Sequence, residues 1–549
     1  LSTSGIRVSD NSVLSVGRDD SSKETFTLGK LDIAGGELNI GDIQTGSPTS
    51  NKTIRVTKKL NADGEGTVRI DTSAGFINAV PTTESELETL PLMEQDDGLQ
   101  KTSMMLVNAK GAEIIGSGGG LSLVDQNGKV LSNALTSKVI QNGVHVANAG
   151  YDWKLTTSGS EEEASGLYLN YGLTQVELLG QGDSALILYA TPGLPENSLA
   201  NDLSAKVVGS GDLKISAVGE TVSLSNPENT YTGGTFVMSD STLKLGADSA
   251  LGATEEVNLA ERAILNLNDH SQEIGKLTVA TDAQVDMADS SQLTVKEGGT
   301  VSAGGLKGSG NLIVQGGTLE ISGANADFHA STSIKPDAAV EINSVLGLGD
   351  NEVQDNGTLT LKNIEKPSDG GNPLHYETYL TYDEFANTLI GSGKLNAENS
   401  SFALTGKNSD FNGTIEVGAD SDIAVFKNSA LGEAKIENNG KLDLLFDEEY
   451  SYIDNFLSGN GTTVVHGYAT VSNNSVQNNS YTGDWLVLGK LSSDKGAHTS
   501  QELWGSGKTE LNWGNIEIFV SDDGFTYDNS LTGHGALWIY SDPNAKGIN

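Results

Sequence analysis

Short alternating runs dominate the chain. They span four to six residues and are broken by Gly, Asn, Asp and Ser. Clear cases are TLKLG (242–246), KLTVA (276–280), QLTVK (292–296), NLIVQ (311–315), TLEIS (318–322) and TLTLK (358–362). Residues two apart in an extended strand project to the same side. Leu243 with Leu245, Leu277 with Val279, Leu293 with Val295, Leu312 with Val314, and Leu319 with Ile321 are therefore expected to face one core. The alternate positions are mostly Thr, Lys, Glu, Asn and Ser. Each strand should have one buried and one wet side.

An antiparallel sandwich shows the same alternation. Two features favour a parallel β-helix. Asn-Gly and Asp-Gly hairpin pairs do not sit regularly between the runs. A Gly-x-Gly step also recurs six times, in VVGSGDLKI (207–215), LKGSGNLIV (306–314), LIGSGKLNA (389–397), LSGNGTTVV (457–465), LWGSGKTEL (503–511) and LTGHGALWI (531–539). Five copies are followed by an aromatic in a polar turn: Tyr231 after Gly209, Phe328 after Gly308, Phe411 after Gly391, Tyr481 after Gly459 and Tyr527 after Gly505. Only two offsets occur among the five, one for the phenylalanines and one for the tyrosines. A reused offset means that the chain returns to one place at that interval, which is the mark of a solenoid. The pattern predicts an all-β chain, a right-handed three-sided parallel β-helix (solenoid) with loop excursions, of roughly 22–25 turns.

Three stretches break the rhythm: 81–102, 365–388 and 446–456. They read as loops leaving the rod, the first with room for a short helix. The organisation expected is a less regular N-terminal part at 1–150, a central β-helix at 151–499, and C-terminal turns at 500–549.

Charge narrows the partners. With 33 basic and 73 acidic side chains, the formal net charge is −40. Nucleic-acid binding needs a basic footprint and is not expected. Glycosaminoglycans and anionic lipid surfaces are disfavoured for the same reason. Cysteine is absent, which suits passage through an oxidising compartment. No apolar run reaches the length of a membrane helix. The first residues, LSTSG, lack a charged n-region and an apolar h-region, so export is not legible there. Glycine is 67 of 549 residues and aromatics are 6%. Low apolar content alone suggests disorder, but the regular alternation argues for buried faces.

The stretch NTYTGGTFVMSDSTLKLGADSALG (229–252) pairs an Asn-x-Tyr-x-Gly turn with a Thr-Leu-x-Leu-Gly strand and an Ala-Leu-Gly ending. SDFNGTIEVGADSDIAVFKNSALG (409–432) is a second copy, with Ser409 where the turn Asn would be. NADFHASTSIKPDAAVEINSVLG (325–347) is a third that loses the turn Gly. The block at 151–180 adds to the pattern. These residues resemble the passenger domains of type Va autotransporters of Gram-negative bacteria, in particular the AIDA-type adhesin group. The resemblance covers 150–549 well and 1–150 only in general character. It implies a parallel β-helix exported through a C-terminal outer-membrane barrel, which these residues do not include, and placed at the cell surface or secreted. The C-terminal turns would then begin an autochaperone region that promotes folding.

Catalytic patterns are weak on the residues themselves. Some members of the resembled family are serine proteases with Gly-Asp-Ser-Gly-Ser. This chain has Gly182-Asp183-Ser184-Ala185, and its seven histidines show no partner spacing for a triad. No GxSxG elbow, P-loop or HExxH occurs. Acidic pairs at Asp96-Asp97, Asp447-Glu448-Glu449 and Asp522-Asp523 suit a polysaccharide-acting site only if stacking supplies a Lys or Arg. No EF-hand loop or calcium-binding nonapeptide array is present. The expectation is a non-enzyme with no cofactor and no metal site.

Contact residues are expected in the 365–388 excursion. His375, Tyr376, Tyr379 and Tyr382, with Asp383, concentrate aromatic groups in a polar stretch, and aromatics are enriched in interface hot spots. The polar turns, stacked along an edge, offer repeated donors and acceptors. The function expected is a surface adhesin for aggregation, biofilm formation or host attachment. Its partner would be a second copy, a host extracellular-matrix protein or a glycan. The alternative is a β-helix that binds or cleaves polysaccharide.

Overall fold

The computed structural model describes residues 4–16, 26–42, 54–71, 92–96, 103–131, 135–157, 165–195, 197–365, 382–447, 451–472, 480–493, 499–520 and 524–541. The chain forms a β-solenoid of about 21 turns. It divides into two compact units, Leu1–Thr254 and Glu255–Asn549.

In the first unit the N-terminal strands stack on two sides. Strands Gly5–Ser9, Phe26–Ala34 and Ile54–Asn61 stack in parallel on one side. Strands Val13–Ser15, Glu37–Asp42, Gly66–Asp71 and Leu121–Val124 stack in parallel on another. The regular coils then give way to antiparallel pairing. Leu135–Gln141 pairs with Val144–Thr156, which pairs with Gly166–Leu178. The first of these turns is Asn142-Gly143, with φ of 50° and 76°, the pair suited to a tight hairpin. Gly166–Leu178 then pairs in parallel with Lys206–Gly209, and regular coils resume.

The second unit is more regular. Through its first coils three strands are laid down per turn, as in Glu256–Leu259, Ile264–Asn266 and Ser271–Ile274. Further along, one side is reduced to turns. Along the longest sheet Val257 stands opposite Leu277, then Gly299, Leu319, Val340 and Leu359. The steps between these neighbours match the interval read from the sequence. The next step, Leu359 to Leu395, is 395 − 359 = 36 residues. The additional residues fall between Ile364 and Tyr382, most of them outside the described part, and residues 382–388, read from sequence as part of a loop, already belong to the solenoid through the strand Glu384–Phe385.

The inward pairs are those the alternation gives. Leu243, Leu245, Leu277, Leu293, Val295, Leu312, Val314 and Leu319 are 0% exposed, and Val279 and Ile321 are 2%. Each such side chain contributes about 1.5–3 kcal/mol when fully buried.

The Gly-x-Gly step has a steric cause. Its first glycine lies at positive φ in all six copies: Gly209 (99°), Gly308 (95°), Gly391 (103°), Gly459 (99°), Gly505 (76°) and Gly533 (95°). A Cβ on Gly308 would collide with the carbonyl oxygen of Met287, and one on Gly459 with that of Asn438, in the coil beneath. The aromatic at the reused offset sits one coil above. Phe328 bridges Gly308, Phe411 bridges Gly391, and Tyr481 pairs with Gly459. Tyr231, Phe328 and Phe411 are fully buried.

A buried asparagine accompanies three of these aromatics. Asn229 accepts from Val207 N–H and donates to Ala250 O, both at 2.7 Å. Asn325 accepts from Leu306 N–H and donates to Gly347 O. Asn408 accepts from Leu389 N–H and donates to Ala430 O, again at 2.7 Å. Each amide links the coil below to the coil above and satisfies backbone groups that the turns leave unpaired. In the second copy the turn asparagine is therefore Asn408, not the position of Ser409. One extra residue separates it from the aromatic.

Candidate functional site

The described chain resumes at Tyr382. Residues 366–381 lie outside the described part, and with them His375, Tyr376 and Tyr379. Asp383 is exposed, and its carbonyl accepts from Ala403 N–H at 2.8 Å. Tyr382 departs from expectation. It is buried at 8% exposure and so does not present its ring to a partner. Its ring packs on Ala403 and Ala424, with Leu445 alongside.

That burial follows from the pleat. In Asp422–Val425 and Lys441–Leu444, Ile423, Val425, Leu442 and Leu444 fill the core. Asp422, Ala424, Lys441 and Asp443 must then face outward. Alanines at 403 and 424 leave a shallow seat on the outer face, and the tyrosine ring fills it. Its hydroxyl reaches the polar end of the same face.

There Tyr382 Oη donates to Asp443 Oδ2 at 2.7 Å and lies 3.2 Å from Asp422 Oδ2. Lys441 Nζ is 2.5 Å from Asp443 Oδ2 and 3.3 Å from Asp422 Oδ2. His466 Nε2 lies 3.1 Å from Asp443 Oδ1. The Asp443 carboxylate is wholly buried. Burial alone would raise its pKa, but the His466 hydrogen bond and the Lys441 ammonium outweigh burial and hold it below the usual carboxylate range. Asp422 moves the other way. Burial and the nearby Asp443 charge push it up, against the pull of Lys441. Its Oδ1 is buried with no hydrogen-bond partner among the described residues. Two carboxyls on adjacent coils thus share one ammonium and titrate apart.

The acidic pairs singled out from sequence are elsewhere. Asp96 is buried and accepts from the Ser204 and Ala205 N–H groups, both at 2.9 Å, so it holds backbone rather than ligand. Asp447 is exposed. Asp97, Glu448, Glu449, Asp522 and Asp523 lie outside the described residues. Ser184 ends a short 3-10 turn, with its N–H on Gln181 O at 3.0 Å. No group of three or more His, Cys, Asp or Glu suited to a metal ion occurs among the described residues. No described helix is long and apolar enough to cross a membrane.

Sequence reading missed the Asp422–Lys441–Asp443 group. Its signal is weak, because Asp422 and Lys441 are distant in sequence and only the coil register makes them neighbours.

The second unit also carries a long polar column. Asn258, Thr278, Thr300, Glu320, Glu341, Thr360, Asn396, Glu416, Glu437 and Ser458 stand opposite one another in turn, all at least partly exposed except Thr360, which is buried. Lysines beside it pair with its acids. Lys362 lies 3.4 Å from Glu341 and 3.7 Å from Glu398, and Lys394 pairs with Glu416.

Two proteins of Escherichia coli K12 are similar to this chain. The uncharacterized protein YuaQ is 38% identical over 337 residues, covering 61% of this chain and 24% of its own length. The uncharacterized lipoprotein YdeK is 35% identical over 435 residues, covering 79% of this chain and 30% of its own length. The chain spans less than a third of either curated relative. No protein-family model matches. No solved structure matches.

Proposed function

We propose that this chain is the passenger part of an autotransporter-type adhesin, displayed outside the bacterial cell and attaching through the outer face of its solenoid. The observation that carries the reading is the polar column from Asn258 to Ser458. Neighbouring coils are about 4.8 Å apart, so the column repeats donors and acceptors at a fixed spacing. Such a surface favours many weak contacts acting together over one deep pocket. The name of YdeK, a lipoprotein, supports an envelope location. The partner proposed first is a second copy on a neighbouring cell. A host extracellular-matrix protein or glycan is the other.

A settling assay tests this. Cells displaying the chain are mixed with differently labelled cells that do not. Clumps containing only displaying cells support contact between copies. Dispersed cells at every salt concentration, with no retention on matrix proteins or glycans, would sink the adhesin reading. At a net charge of −40, association between copies should strengthen as salt screens repulsion.

A second reading is favoured by Asp422 and Lys441, a partly exposed carboxyl and ammonium on adjacent coils, backed by the buried Asp443 carboxylate. Such a set suits polysaccharide cleavage, with the raised Asp422 carboxyl moving a proton. Activity on a uronic-acid polymer that Asp422→Asn abolishes would establish it. An inert protein would remove it.

A further inference from the structure

We propose that the outer face of the C-terminal coils binds a neutral polysaccharide, stacking sugar rings on exposed aromatic side chains. The face is built from the strands Tyr452–Ile453, Tyr468–Val471, Lys490–Ser493, the second half of Thr509–Val520, and Leu531–Ser541. They stack in parallel. Tyr452 stands opposite Thr470, and Tyr468 opposite Lys490 and then Asn515. Thr470 continues through Ser492 and Glu517 to Trp538, and Phe519 stands opposite Tyr540. Ala469, Leu491, Ile516 and Ile518 are buried, so the alternate residues face out.

One outward face thus carries Tyr452, Tyr468, Phe519, Trp538 and Tyr540, in a chain where aromatics are only 6%. Tyr452 is 38% exposed and Tyr468 41%. Phe519 and Tyr540 stack at 4.9 Å and 15°. At the register shift that opens this stretch, Trp513 is 78% exposed with φ of 63°. A bulky residue in that region is strained, and such strain concentrates at functional positions. Here it holds an indole in solvent, 6.2 Å from the His534 ring.

Charge selects the ligand. Lys490 Nζ lies 2.8 Å from Glu517 Oε2 and 5.8 Å over the Tyr468 ring. Tyr540 Oη donates to Glu517 Oε1 at 3.3 Å. The ion pair neutralises itself, so this face offers no net charge within a chain of −40. A polyanion meets repulsion from the whole molecule, and a polycation finds stronger sites elsewhere on it. A neutral glycan fits both parts of the face. Its apolar C–H surfaces match the rings, and its hydroxyls match the Asn515 amide and the hydroxyls of Tyr452 and Tyr468. Strand neighbours about 4.8 Å apart set rings at intervals that several sugars of one polymer span together. This face is not the Asn258–Ser458 column, so the proposal stands whether or not copies associate.

Affinity electrophoresis of the 549-residue chain tests it. Native gels would contain soluble β-1,3-glucan, xyloglucan or galactomannan, with polygalacturonate as the charged probe. The expected result is retardation by a neutral polymer, little changed by salt, with altered tryptophan fluorescence. Tyr468→Ala and Trp538→Ala should each weaken it about tenfold. Phe426→Ala, at an exposed aromatic of another coil, should leave it unchanged. Trp513→Gly separates binding from folding, since it removes the ring and relieves the left-handed strain. It should stabilise the coil while weakening retardation. Mobility unchanged by every neutral polymer would overturn the proposal. So would retardation by polygalacturonate alone, or retardation equal to the parent's in Trp513→Gly and in Tyr468→Ala with Trp538→Ala. A failed attachment reading would instead show in the settling assay.

Discussion

The Tyr382 hydroxyl donates to Asp443 Oδ2 at 2.7 Å although the two residues lie 61 apart in sequence. The contact joins Tyr382 to the outer face of later coils. Tyr382→Phe keeps the ring on Ala403 and Ala424 but removes the hydroxyl. Asp443 retains Lys441 and His466, so the expected loss is about 1–2 kcal/mol. Tyr382→Ala also empties the seat and should lose about 3–5 kcal/mol. Native-state hydrogen exchange of residues 401–444 measures both. Equal protection in all three proteins would show that the contact contributes nothing.

Asp355 gives the chain a pH dependence of known sign. Its side chain is fully buried, Oδ1 accepts Gly357 N–H at 3.0 Å, and Oδ2 has no partner among the described residues. Burial lifts the carboxyl to about 7, against roughly 3.9 when unfolded. Between those values the folded state binds the proton more tightly. This contribution is therefore full below about pH 4, declines as pH rises, and is gone above 7. Asn438 holds the matching place beneath Gly459, as Asp355 does beneath Gly391, and its amide donates to Thr462 O at 3.1 Å. Asp355→Asn should flatten the slope and stabilise the protein at pH 8 by about 1–3 kcal/mol. Urea unfolding at pH 5 and pH 8 reads it. An unchanged slope would remove Asp355 as its source. Asp443, held low, acts in the opposite sense: its contribution is lost as pH falls below about 4.

Gly308 and Gly304 separate strain from collision. Both lie at positive φ, 95° and 70°. A Cβ on Gly304 meets nothing within 4 Å, whereas one on Gly308 strikes the Met287 carbonyl. Gly304→Ala should lose about 1–2 kcal/mol from backbone strain alone. Gly308→Ala should lose clearly more, because the coils must part. Paired thermal melts compare them, and equal shifts would show that the close approach is not what fixes glycine there.

Asn408 and Ser409 test the turn assignment. Asn408→Ala removes two hydrogen bonds and leaves buried Leu389 N–H and Ala430 O without their partner. The expected loss is about 2–4 kcal/mol. Ser409→Ala, on the exposed side of the same turn, should stay within about 0.5 kcal/mol. A larger effect at Ser409 would return the role to it.

Much of this architecture is legible in sequence because it is periodic. Leu312 and Val314 announce their side by alternation, and Gly308 announces its close approach by recurrence. The Tyr382 site is not legible, since a tyrosine with an apolar ring and a polar tip suits a surface or a seat equally well. The seat itself depends on Ala403 and Ala424 meeting across coils. The hairpin at Asn142-Gly143 carries a local signal of the right kind, but an isolated pair has little weight against a repeat that recurs.

The step from Leu359 to Leu395 carries a last consequence. It closes onto a ladder whose earlier steps are much shorter, and Leu395 still meets Ile415 in phase. The ladder is thus set by the positions that meet across coils and not by the number of residues between them. Peptide grafted between Ile364 and Tyr382 should leave the pairing of Leu359 with Leu395 in place.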